Sequence, residues 1–284
     1  MSLTRAAIEA QPRWLEAVRT DVRLPPGRAV HTGCGTSWHA AQTGGAAVEA
    51  LEAVLAPPEA DVLVVVSHEG GTRLSLDAVA AFGGPAWLVT GKPDSALGRA
   101  CDEVVVCTPA VEESYCHTAS YVCAVAQLAA LRGEDVSWLP RAVEEALAAE
   151  RLPVSEHERW LVAGAGRDWP TAQEAVLKLR EGARVAAEAH RTEELLHGHL
   201  AAVDPSVRCF VLEGEGRAAE RARDAVRALG EIGCDATLVP TRHPAVDVVA
   251  FQLLTVDLAE ARGVNPDTIR WDEEPWDRAR RSYE

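Results

Sequence analysis

Lysine is almost missing from this chain: of 28 basic residues among 284, only Lys92 and Lys178 are lysines, and the rest are arginines. Chemistry that needs a side-chain amine has just those two candidates. Positive charge as a whole is scarce, with 43 acidic residues and a formal net charge of −15. Such a field repels a phosphate backbone and argues against nucleic acid as a partner. No apolar run approaches the roughly 18–20 residues that span a bilayer, and Met1-Ser2-Leu3-Thr4-Arg5 has no signal-peptide core, so no membrane partner is expected. Cys-x-x-Cys pairs are lacking too. Seven cysteines, an odd number, point to free thiols in a reducing, cytoplasmic setting. What remains is an ordinary globular balance, 48% hydrophobic and 25% charged, at a length that suits about two domains.

Apolar residues at helical spacing (Ile8, Trp14, Leu15, Val18) predict one helix from Leu3 to Val22, broken by Leu24-Pro25-Pro26-Gly27. Strand and helix then alternate. Strands are predicted at Arg28–Thr32, Asp61–Ser67, Ala86–Thr90 and Glu103–Cys107. A long Ala-rich helix is expected between the first two, ending near Ala56; another helix starts at Gly70-Gly71-Thr72, and a last one runs from about Ser114 to Leu131. The pattern restarts with strands at Arg159–Gly164, Val207–Leu212 and Ala236–Val239, and helices at Thr171–Ala189, Arg217–Leu229 and Val246–Ala261. Two successive βα runs of this kind predict an α/β protein with two doubly wound parallel-sheet domains in tandem. The expected divisions are an N-terminal helix at 1–26, domains at 27–150 and 151–261, and an irregular polar tail at 262–284.

In such sheets ligands bind where strands lead into helices. Gly33-Cys34-Gly35-Thr36-Ser37 and Ser67-His68-Glu69-Gly70-Gly71-Thr72 both offer small residues and hydroxyls at that position. They suit an anionic small molecule, and equally they suit ordinary turns and N-caps. Cys34, at a helix start, is a candidate for a depressed thiol pKa, although no base accompanies it. Gly164-Ala165-Gly166 lacks the third glycine of a dinucleotide fingerprint, so no nucleotide cofactor is expected. On the long predicted helix Glu174, Lys178 and Glu181 share one face at i, i+4 and i+7, with Glu188 two turns on. One account is solvent-facing ion pairing. The other gives the rare lysine a role that an arginine cannot fill. His197 and His199 have no further ligands nearby, and no metal is expected.

GCGTSWHA (33–40), SHEGGT (67–72) and AQEAVLKLREGARVAAEAHRTEELLHGHLA (172–201) resemble the double sugar-isomerase-domain (SIS) family, including the isomerase half of glucosamine-6-phosphate synthase and the related deaminases. The resemblance implies tandem SIS domains binding a carbohydrate derivative between them, with the tail contributing to the site. It implies an aldose–ketose isomerase or aminosugar-phosphate deaminase that uses free ammonia, has no glutaminase activity and needs no cofactor. Glu181 would carry a proton between C1 and C2. His197 would open the ring from the neighbouring subunit of a homodimer, and Lys178, with Glu174 and Glu188, would support the active site. Cys34, Gly35, Thr36, Ser37, Ser67, His68, Glu69 and Thr72 would bind the sugar or sugar phosphate, joined by Glu112 and Thr118 from another site-lining segment and by Arg270 from the tail. Three departures stand out. Glu69 replaces a serine of the phosphate loop, Arg270 lies nearest where the synthase places a C-terminal lysine, and no cysteine nucleophile opens the chain. They leave open an unphosphorylated sugar as substrate, or a non-catalytic carbohydrate-binding protein.

Overall fold

The computed structural model describes residues 1–283. The chain opens with α1 (Leu3–Trp14), which turns Ile8 and Gln11 inward, and continues into β1 (Ala29–Thr32). There follow α2 (Thr36–Gln42), α3 (Ala50–Leu55), β2 (Val62–Val66), α4 (Arg73–Phe82), β3 (Ala86–Thr90), α5 (Ala96–Ala100), β4 (Glu103–Val106), α6 (Ala119–Leu131) and α7 (Leu139–Ala148). The strands pair in parallel in the order β1-β2-β3-β4. β2, Val-Leu-Val-Val-Val, is buried along its whole length, as a parallel strand covered on both faces must be. α6 is buried at every position, a helix apolar on all sides.

The single helix expected after β1 is two. A Cβ on Gly44 would lie 2.4 Å from the His31 ring, and Gly45 has a φ of +124°. Only glycines fit there, and they interrupt the helix. The chain instead runs briefly beside β1: His31 N–H donates to Ala46 O (2.8 Å) and Val48 N–H to His31 O (2.9 Å). This stub occupies the edge of β1 opposite β2. The chain therefore leaves β1 in one direction and returns on the other, which creates a topological switch point between β1 and β2.

A second sheet is built from β5 (Arg159–Gly164), α8 (Trp169–Gly182), β6 (Ala186–Arg191), α9 (Thr192–Leu196), β7 (Val207–Leu212), α10 (Arg217–Ile232), β8 (Asp235–Val239) and α11 (Pro244–Arg262). Its parallel order is β6-β5-β7-β8, with the same reversal at its second strand. Trp160, Phe210 and Phe251 pack on one face with residues of α8 and α11. Leu161, Cys209 and Leu229 pack on the other. The helix expected over 171–189 is corrected here. It stops at Gly182, Arg184 adopts a left-handed φ of +58°, and Ala186–Arg191 forms an edge strand against β5. Pairing with β5 overrides the helix preference of an alanine-rich segment. Glu188 consequently lies on that strand, opposite Leu161, and not on the helix. The tail, expected to be irregular, contains α12 (Glu274–Arg281), whose Asp277 and Arg281 pair at 2.7 Å.

By contacts the chain divides into two units, one of Leu3–Glu145 together with the tail from Arg270, the other of Ala146–Ile269. In the second unit Asp168 is fully buried and accepts from Thr241 Oγ1 at 3.1 Å, while Asp247 accepts from Arg242 N–H at 2.8 Å. Burial, helped by the charge of Asp168, pushes the Asp247 carboxyl up to about 7. A carboxyl whose folded pKa is raised favours folding below the unfolded value, 3.8, and loses that contribution as pH rises through about 7. Asp247→Asn is thus expected to gain stability over wild type as pH rises, of order 1–3 kcal/mol above neutrality. Urea denaturation at acid and neutral pH checks this; an unchanged difference across that range refutes it.

Candidate active site

The first unit carries a pocket, open to solvent, where the ends of β2 and β3 meet α2 and α6. Its wall includes Thr36 and Ser37 from the start of α2, His68 after β2, and His117, Ser120 and Tyr121 around the start of α6. Of the residues expected to bind ligand, Thr36, Ser37 and His68 are on this wall. Cys34, Gly35, Ser67, Glu69, Thr72, Glu112 and Thr118 are not. Ser67 is buried and its N–H donates to Val89 O, whereas Thr72 is exposed at the start of α4. Cys34 is half-buried with Sγ 3.8 Å from Ser75 Oγ. Burial raises its thiol, which corrects the expectation of a depressed one: desolvation outweighs the short helix behind it. Among the described residues all seven cysteines are free thiols.

Glu112 is buried, and its two oxygens accept five hydrogen bonds. One oxygen receives Thr118 N–H and Oγ1–H (both 2.8 Å) and Ala119 N–H (3.2 Å); the other receives Ser120 N–H (2.9 Å) and Oγ–H (2.7 Å). The carboxylate thereby fills the N-terminal end of α6 with negative charge. Its pKa is held below the usual range: burial opposes ionisation, but His117 and the bonds from Ser120 and Thr118 outweigh it. A depressed carboxylate stabilises the fold above its unfolded pKa and loses that contribution as pH falls through the folded one. Glu112→Gln turns an amide donor against these donors, and is expected to cost about 2–3 kcal/mol at neutral pH. The difference from wild type should shrink in acid. Thermal melts across pH check this, and a neutral-pH cost near zero refutes it.

Glu112 also fixes its neighbour. Its backbone N–H donates to His68 Nε2 at 2.8 Å, so the proton of the His68 ring sits on Nδ1. Burial, with the nearby His117, lowers the pKa of His68 to about 4. His68 is a neutral donor at physiological pH. Gly91 keeps that ring in place, since a Cβ there would come within 2.5 Å of both His68 Cε1 and Thr108 Oγ1. Glu69 does not point into the cavity; its half-exposed carboxylate lies 4.0 Å from His117 Nε2.

In the second unit, α8 brings together the predicted acid–base–acid face. Lys178 Nζ lies 2.6 Å from Glu181 Oε2 and 3.5 Å from Glu174 Oε1. The solvent-facing reading of this pair does not hold, because Glu174 and Lys178 are both fully buried and only Glu181 is partly open to solvent. α8 packs against α11, β6 and β5. His197, at the end of α9, is exposed with Nε2 2.8 Å from Glu193 Oε1, and Glu193 also accepts from Arg221 at 2.8 Å. Glu188 is exposed and 3.2 Å from His190. His190 in turn meets the His199 ring at 4.3 Å. In the tail, Arg270 sits 3.5 Å over the Trp276 ring and 3.3 Å from Glu273, at a left-handed φ of +68°.

Thr90, His117, Ser120 and Tyr121 are among the cavity residues that motif reading did not single out. The one signal was the segment Tyr115–Thr118 beside Glu112, which the family resemblance marks as site-lining.

Residues 154–261 match the model of the SIS domain family. Two similar curated proteins are the isomerizing glutamine–fructose-6-phosphate aminotransferases of Gloeobacter violaceus (26% identical, 84% of this chain and 49% of that protein) and Thermosynechococcus vestitus (27%, with the same coverage). The chain spans about half the length of these relatives. Among solved structures, glucosamine-6-phosphate deaminase from Thermotoga maritima has a TM-score of 0.79 at 20% identity, covering 94% of this chain and 97% of that one. Tagatose-6-phosphate ketose/aldose isomerase from Escherichia coli has a TM-score of 0.76 at 17% identity, covering 94% and 95%. These structures share the fold of this chain along nearly its whole length.

Proposed function

We propose that this protein interconverts an aldose and a ketose phosphate through an enediol, or deaminates an aminosugar phosphate through the corresponding enolamine, whose ketimine is hydrolysed by water to the ketose and free ammonia. The observation that carries the reading is the buried Glu174–Lys178 pair beside the partly open Glu181, within the stretch that matches the SIS domain. In the aldose-to-ketose direction a base takes the C2 proton and the C–H electrons form the C1–C2 double bond of the enediol while O1 gains a proton. O2 then gives up its proton as the ketone forms, and the base returns its own to C1. Glu181 is the base in this reading, and Lys178 fixes its carboxylate at 2.6 Å. His197 is the acid/base for ring opening, donated by the partner in a homodimer; its exposure in a single chain suits that role. Thr36, Ser37 and His68 bind the sugar derivative, and Glu112 and Thr118 position them by anchoring α6.

A second reading, a carbohydrate-binding protein without turnover, is favoured by the tail. It offers no lysine, and Arg270 is engaged with Trp276 and Glu273. Proton NMR in D2O with fructose 6-phosphate, glucose 6-phosphate and glucosamine 6-phosphate separates the two. Deuterium at C1 or C2 supports the isomerase; binding without exchange supports the binder.

A further inference from the structure

α9 places Glu193 and His197 one helical turn apart, and the His197 backbone N–H donates to Glu193 O at 2.9 Å. Their side chains meet as well, with His197 Nε2 2.8 Å from Glu193 Oε1. The carboxylate does not depend on that histidine for its place. Arg221 of α10 grips it with two nitrogens, at 2.8 Å from Oε2 and 3.2 Å from Oε1, and is itself tied to Asp224 at 2.5 Å. Glu194, next in sequence, faces Arg191 instead, at 3.9 Å. Beyond His197 the chain is held a second time, because the His199 ring lies 4.3 Å from that of His190, whose Nε2 is 3.2 Å from Glu188 Oε2.

Exposed ion pairs of this kind add little to stability, so folding alone does not account for the network. What it fixes is the chemistry of one ring. The Arg221 guanidinium holds the Glu193 carboxyl below its usual range, so that group is ionised at neutral pH. A carboxylate only accepts hydrogen bonds, so Nε2 carries a proton whether the imidazole is neutral or charged. Nδ1 is engaged by no residue among those described.

We propose that Glu193 is a positioning residue for ring opening: it holds His197 through Nε2–H, and so makes Nδ1 the atom that moves the proton between the anomeric hydroxyl and the ring oxygen. This role rests on the isomerase reading of His197; the Arg221–Glu193–His197 chain itself does not. Starting from the uncharged ring and a cyclic ketose, Nδ1 takes the anomeric O2 proton. The O2 electrons form the C2=O double bond, and the C2–O5 bond breaks with its electron pair on O5. Nδ1 then gives the proton to O5. No proton is gained or lost, and the imidazolium between the two steps faces a carboxylate already in place.

Fructose 6-phosphate must open, whereas 5-deoxyfructose 6-phosphate has no O5 and stays open, so the two separate ring opening from enediol chemistry. Deuterium exchange on both is followed with the full chain as wild type, Glu193→Ala and Glu193→Gln. Glu193→Ala is expected to lower the ratio of the two rates, cyclic over open ketose, by about tenfold or more. Glu193→Gln should lower it less, since its amide oxygen still accepts from Nε2. Arg221→Gln, which frees the carboxylate from α10, should lower the same ratio. Melting temperatures should move by no more than about 2 °C, as expected for an exposed pair. Nitrogen-15 NMR of the histidine rings reads the geometry without turnover. His197, assigned by its loss in His197→Gln, should carry a proton on Nε2 in wild type and lose that preference in Glu193→Ala. A wild-type His197 protonated on Nδ1 alone overturns the proposal and leaves the isomerase reading standing, as does an unchanged rate ratio in Glu193→Ala. A wild type that exchanges neither ketose removes the isomerase reading, and this role with it.

Discussion

Glu181→Gln is expected to slow deuterium exchange at C1 and C2 by about 10²–10⁴-fold while leaving the protein folded. Glutamine keeps the shape of glutamate and can still accept from Lys178, which lies 2.6 Å away and retains Glu174 as its second partner at 3.5 Å. It cannot hold and return a proton. Glu181 is the one member of the three that reaches solvent, so it meets the first geometric requirement of a base, access to the reacting carbon. The loss should appear in the turnover rate and not in the binding of fructose 6-phosphate. Exchange at the wild-type rate in a folded Glu181→Gln protein would remove Glu181 from the chemistry and shift the choice toward another carboxylate.

Lys178→Met is expected to destabilise the protein by about 3–5 kcal/mol, since it takes the ammonium away from a fully buried carboxylate. Glu174 and Lys178 are both completely buried, so neither can turn to solvent when its partner is lost. The companion substitution decides the mechanism. Lys178→Met with Glu174→Gln removes the buried negative charge and should recover most of the loss, because a neutral amide costs far less to bury than an ion. Urea denaturation of both variants measures the coupling. Additive losses would show that the two groups are stabilised separately by their surroundings. The same pair explains why lysine survives at this position in a chain that otherwise uses arginine. A compact ammonium fits within 2.6 and 3.5 Å of two carboxylates on one helix face, whereas a guanidinium needs a wider, planar space.

The sheets were legible where the residues leave no alternative. Arg159–Gly164, Val207–Leu212 and Ala86–Thr90 are apolar runs that only a strand covered on both faces can bury, and they form at those bounds. The two loops at the β1/β2 switch point were readable for the same reason, since glycines and hydroxyls follow buried strands. The failures have a common cause. Ala186–Arg191 has helical composition and is a strand only because β5 offers an unpaired edge. Glu174 and Lys178 have the spacing of a surface ion pair, and only tertiary packing, which the sequence does not encode locally, makes them buried. His117, Ser120 and Tyr121 reach the cavity from the start of α6 and the loop before it, far downstream of His68, a proximity that no local pattern encodes.

The first unit is not continuous in sequence. Its final portion, from Arg270 onward, is separated from the rest by the whole of the second unit, and it supplies Trp271, whose ring lies 4.5 Å from that of Tyr115. During synthesis on the ribosome the residues around Glu112 and His117 therefore emerge long before their last neighbour does. The second unit has all of its strands and can close while the first still waits for its tail. A nascent protein released before residue 271 would leave the Tyr115 ring, half-exposed even in the folded unit, without its aromatic neighbour.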